Sequence, residues 1–159
     1  LARIIAIGRR AFDYVIVDTL PTVDGTMLTI LDLADQIYLV NQGTVPDVIG
    51  AARLLETLDE LDIAPGRRAV VLNRNLPPFA GALTAAEVGD RLDKKVDYEI
   101  PHDKKVLTAL NLGEPRVLRA STRFGWGRAM RELVEDVDAL HAEAPEDAEE
   151  LGRGVEEIS

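Results

Sequence analysis

The chain has 159 residues, 47% hydrophobic and 29% charged, which is ordinary globular usage with room for one domain. It contains no cysteine, which excludes disulfides, thiol catalysis and cysteine zinc sites and suits a reducing compartment. A net charge of −10 argues against a general nucleic-acid binder, and no apolar run nears the roughly 20 residues of a membrane helix.

Leu1 to Arg10 predicts the end of a helix feeding a first strand, Tyr14-Val15-Ile16-Val17. Asp24-Gly25 suggests a turn. Ile37-Tyr38-Leu39-Val40 and Ala69-Val70-Val71-Leu72 repeat the character of the first strand: short, rich in β-branched residues and apolar on both faces. Such runs suit parallel strands buried on both sides. Their starts lie 23 and 32 residues apart, enough for crossover connections. Between them, Val48, Ala52, Leu55, Leu58 and Leu61 form a helical stripe that ends before Pro65-Gly66. Thr84-Ala85-Ala86-Glu87 has capping-box form and predicts a helix start. A weaker strand follows from Val96 to Ile100, closed by Pro101. Trp126, Met130, Leu133, Val134, Val137 and Leu140 form a last stripe, predicting a helix from about Arg123. The alternation means an α/β fold with a mostly parallel sheet and helices on both faces. Residues 142–159 carry six of the ten excess negative charges and little apolar anchorage, so they are expected to be an acidic, disordered tail to a body at 1–141.

In open parallel sheets, ligands bind beyond the carboxyl ends of the strands. The residues standing there are Asp18, Asn41, Asn73 and Pro101-His102-Asp103. A carboxylate after four apolar residues, as at Asp18, can hold a hydrated magnesium ion beside a nucleotide. The plainer alternatives are that Asn73 closes a turn and Pro101 ends a strand. His102 beside Asp103 has no nucleophile near it in the sequence, and the two histidines lie 39 residues apart, which gives no metal motif. Arg67-Arg68 and Lys104-Lys105 are expected to be solvated doublets.

Phe12-Asp13-Tyr14-Val15-Ile16-Val17-Asp18-Thr19, with Pro21 beyond it, resembles the Walker B segment of the MinD/ParA family of P-loop ATPases. Leu31-Asp32-Leu33-Ala34-Asp35-Gln36-Ile37-Tyr38-Leu39-Val40 resembles the family's next strand. Val70-Val71-Leu72-Asn73-Arg74 and Ile100-Pro101-His102-Asp103 are similar to its "lVlNR" and "IPxD" segments. Ala109-Leu110-Asn111-Leu112-Gly113-Glu114-Pro115 and the helix through Ala129-Met130-Arg131-Glu132-Leu133 complete the series in family order. Within the family, the wording of these segments most resembles the CpaE/TadZ branch of pilus-assembly proteins.

The resemblance implies ATP or ADP with Mg²⁺ as cofactors. Asp18 would touch the metal through water, Asn73 would bond the adenine edge, Arg74 and Pro101 would flank the base, and Asp103 would lie beside it. It also implies a nucleotide-dependent homodimer acting with pilus or secretion assembly proteins. The location implied is cytoplasmic, with recruitment to the inner membrane or cell pole through partners.

The family's Gly-rich lysine loop has no counterpart here. The lysines are Lys94, Lys95, Lys104 and Lys105, and none follows a Gly-x-x-x-x-Gly pattern. With Leu1 in first place and Asp18 only 17 residues on, the expectation is the C-terminal portion of such an ATPase domain, from a longer protein or a truncated gene product. By itself it is not expected to hydrolyse ATP. The alternatives are a non-catalytic localisation scaffold of the same fold, or a ParA/MinD-type ATPase positioning DNA or division machinery. The net charge of −4 on residues 1–141 disfavours direct nucleic-acid contact, and the acidic C-terminus disfavours a basic membrane-anchoring helix.

Overall fold

The computed structural model describes residues 1–20, 22–114, 120–121 and 123–143. Strands β1 (Ile37–Asn41), β2 (Arg68–Asn73) and β3 (Tyr98–Ile100) form a parallel sheet in the order β1-β2-β3. Leu39 pairs with Val70 and Tyr38 with Ala69, while Val71 pairs with Tyr98. Successive side chains alternate between faces. Leu39, Val70 and Leu72 therefore share one face, and Tyr38, Ala69, Val71, Tyr98 and Ile100 the other.

The first face carries the main core. Helix α3 (Val45–Glu60) lays Val48, Ala51, Leu55 and Leu58 on it. Met27 and Leu31 of α2 (Gly25–Leu33) and Val88 and Leu92 of α4 (Ala85–Leu92) join the cluster, with Ile63 and Leu83 from the connecting segments. Residues 68–72 of β2 are all buried, as expected for a central strand apolar on both faces.

Helix α6 (Gly125–Glu143) covers the second face beside β3. The Tyr98 hydroxyl donates to Asp136 at 2.8 Å, and its ring lies 6.2 Å from that of Tyr38. Burial and this carboxylate raise the Tyr98 pKa, keeping the phenol protonated as a donor. Helices thus flank a parallel sheet on both faces, the fold class the alternating pattern predicts.

The run Tyr14 to Val17 differs from expectation. It is extended but joins no sheet, and Ile16 is 92% exposed. Apolar β-branched residues favour extended backbone, yet a strand also needs a partner edge for its hydrogen bonds. Among the described residues, none pairs with this run. It is held from its flanks instead. Gly8 of α1 (Ala2–Ala11) lets Val15 approach, since a Cβ there would lie 3.1 Å from Val15 Cγ2. The Tyr14 hydroxyl donates to Asp138 at 2.7 Å, and its ring packs 5.2 Å from that of His141. Asp136 and Asp138 are two residues apart, so they point roughly 200° apart around α6. One reaches Tyr98 and the other Tyr14, which puts the unpaired run across α6 from β3.

Other expectations need adjustment. Asp24-Gly25 is not a free turn: Asp24 caps α2, its Oδ1 accepting from the Met27 N–H at 2.8 Å. The Arg67-Arg68 doublet is not solvated. Arg67 donates to the carbonyls of Leu31 and Ala34 at the end of α2, and Arg68 is buried beneath α3. Helix α5 (Lys104–Asn111) had no forecast; it has no buried residue, and Leu107 and Leu110 are exposed. The last helix begins at Gly125 rather than Arg123, and Val134 and Leu140 of its stripe are exposed. The expectations for Pro21, Pro115 and residues 144–159 lie outside the described residues, and α6 runs to Glu143.

Candidate functional site

Asn73 ends β2 and pairs with Ile100, so its side chain shares the α6 face with that residue. It is half-buried, and among the described residues its amide makes no hydrogen bond. A free carboxamide at a strand end offers both a donor and an acceptor to a ligand edge.

Arg74, the next residue, turns to the opposite face. Its Nε donates to Glu99 Oε1 at 2.9 Å and its Nη1 to the Leu83 carbonyl at 2.7 Å. Its backbone N–H also bonds the Ile100 carbonyl at 2.8 Å. The guanidinium therefore clasps the end of β2 to β3 and to the loop before α4.

Beyond β3, Pro101, His102 and Asp103 lead into α5. Asp103 caps that helix, its Oδ1 accepting from the Lys105 N–H at 2.8 Å. His102 Nδ1 lies 3.2 Å from the Asn75 carbonyl oxygen, a contact in which the ring nitrogen donates. These three residues line a cavity of about 250 Å³. Its other wall comes from Ser121 and the start of α6: Phe124, Gly125, Trp126 and Gly127. Gly127 permits this wall, because a Cβ there would lie 2.2 Å from the Ser121 carbonyl oxygen.

Asp18 stands at the end of the unpaired run, exposed and without a hydrogen bond or ion pair among the described residues. No cluster of three or more potential metal ligands occurs among those residues. An isolated carboxylate still fits a hydrated magnesium ion, which uses one or two carboxylates and takes its remaining oxygens from water and phosphate.

Of the residues singled out in the sequence, Pro101 and Asp103 share a cavity. Asn73 stands on the same face of the sheet, beside the residue that precedes Pro101. Arg74 is turned away, and Asp18 touches none of the others. Phe124 and Trp126 carried no forecast as site residues. Their signal was the Gly125-Trp126-Gly127 spacing, two poor helix formers bracketing an aromatic at a helix start. No helix among the described residues is long and apolar enough to cross a membrane.

No protein-family model matches the chain, and no curated protein does. Solved structures do. A ParA family ATPase from Chlorobium tepidum TLS superposes with a TM-score of 0.66 at 21% identity, over 80% of this chain and 52% of that one. The MinC:MinD cell division protein complex of Aquifex aeolicus matches with a TM-score of 0.58 at 21% identity, over 71% of this chain and 48% of that one. The MinD cell division protein of the same organism gives 0.56 at 22%, over 71% and 49%. The chain therefore spans about half the length of the structures it matches. Within that span it has the α/β fold of the ParA and MinD proteins.

Proposed function

We propose that this chain belongs to an ATP-dependent switch that positions or assembles cellular machinery, in the manner of the CpaE/TadZ pilus-assembly branch. The observation that carries the reading is Asn73: a free carboxamide at the carboxyl end of the central strand of a ParA/MinD-like fold, next to the cavity at Pro101. In this reading the Asn73 amide bonds the edge of adenine, and Pro101 and Asp103 border the base. Arg74 shapes the pocket from behind through its clasp on Glu99 and Leu83. Asp18 holds Mg²⁺ through water, and the ion, when bound, neutralises charge on the phosphates. Two copies close on the nucleotide, and its hydrolysis in the whole protein parts them. Partners are pilus or secretion assembly proteins. The setting is cytoplasmic, with recruitment to the inner membrane or pole through those partners, and neither nucleic acid nor lipid is bound directly.

A second reading is that the fold serves as a localisation scaffold without turnover. Calorimetry with ATP and Mg²⁺, joined to sedimentation with and without nucleotide, separates the two. The switch reading expects binding, and a nucleotide-dependent dimer of the whole protein. Asn73→Ala should weaken ATP about tenfold, as the loss of hydrogen bonds to one ligand edge implies. Asp18→Ala should remove the dependence on Mg²⁺. If both variants bind and assemble pili as the parent does, the scaffold reading stands and the switch is lost.

A further inference from the structure

We propose that Phe124 is a stacking platform for the nucleotide base, working beside Trp126 in the cavity at the end of β3; this deepens the nucleotide reading above and rests on it. Phe124 is 76% exposed, although an aromatic ring is among the side chains with most to gain from burial. Its position is set by backbone geometry and not by core packing. Gly125 follows it in the left-handed region at φ +56°, and Gly127 lets the Ser121 backbone close against the start of α6. The ring is therefore presented at the mouth of a cavity that Pro101 also lines.

The size of the cavity limits its occupant. At about 250 Å³ it falls below the roughly 300–1,000 Å³ of pockets that take drug-sized ligands, so it suits one flat ring system. The sugar and phosphates of a nucleotide would lie outside it, along the strand ends. Its lining is mostly apolar, with the polar residues Asp103 and His102 at one side. An amino-bearing purine supplies donors for that side and a π-face for Phe124.

Trp126 is the single tryptophan of the chain and lines the same cavity, so its fluorescence reports occupancy. Adenosine is the probe, because it carries the base without needing a phosphate loop. Titrating the 159-residue chain with adenosine should change Trp126 emission. Phe124→Ala should weaken adenosine about tenfold or more, the usual scale for losing one base-stacking ring, while Phe124→Tyr keeps most of the affinity. Thermal melts of both variants should match the parent, since this side chain is exposed. If no adenine nucleotide or nucleoside binds by calorimetry, the nucleotide reading itself falls and the stacking role falls with it. If adenosine binds and Phe124→Ala binds it equally well, the stacking role alone is overturned.

Discussion

Arg68 is 7% exposed at the start of the central strand, yet it carries a full charge. Its Nη1 donates to Asp59 Oδ1 at 2.6 Å and approaches the Leu55 carbonyl at 3.5 Å, both on α3. Asp59→Ala leaves this guanidinium buried without its anion, so urea unfolding should show a loss of about 2 kcal/mol. Arg68→Met in the Asp59→Ala background should recover most of that, because the stranded charge is gone. The sequence showed Arg67-Arg68 only as two cations on consecutive positions. Which face each would take depended on strand register, and the partner of Arg68 lies on another element. Asn73 and Arg74 teach the same lesson at the site. Although neighbours in sequence, they are parted by alternation along the strand, which puts Asn73 on the α6 face with Ile100 and Arg74 against Glu99.

At the scale of elements, helix ends were the most legible feature where the signal is local. Thr84 accepts from the Glu87 N–H, and the Glu87 carboxylate accepts from the Thr84 N–H, both halves of the capping box visible in the sequence. Thr84→Ala should cost about 1 kcal/mol in thermal or urea unfolding. The Thr84 backbone N–H, and then its hydroxyl, hold the Glu87 carboxyl below its ordinary range. A group whose folded pKa is depressed adds stability above its unfolded value, about 4.3, and loses it as pH falls through the folded one. Acid melts of the parent should therefore drop more below about pH 4 than those of Glu87→Gln; equal slopes would remove the carboxylate from the cap. Asp24 caps α2 by the same chemistry, but Asp-Gly also suits a turn, and Gly25 weakens the helical signal behind it. Helix α5 was not foreseen because its leucines meet no core.

At the scale of the molecule, the sheet stops at β1, whose outer edge has no strand partner among the described residues. Val40 on that strand is 63% exposed, and Ile16 and Leu20 in the preceding segment are 92% and 77% exposed. An open apolar edge is a template for pairing with another chain. Val40→Lys should reduce self-association of this chain, read by light scattering, and change its stability by less than about 0.5 kcal/mol. Unchanged association would mean that the contact lies elsewhere.

By itself the sequence determined the alternating α/β class, the runs that form β1, β2 and β3, the apolar central strand and the residues at the ends of those strands. Each of these follows from local periodicity or from one residue's place at the end of a run. The tertiary structure alone decided that Tyr14 to Val17 stays unpaired and that Arg68 is buried. It also decided that Pro101 and Asp103 meet Phe124 and Trp126 around one cavity. Those outcomes turn on which edges and faces come within reach of one another, and distance in space is not written in local pattern.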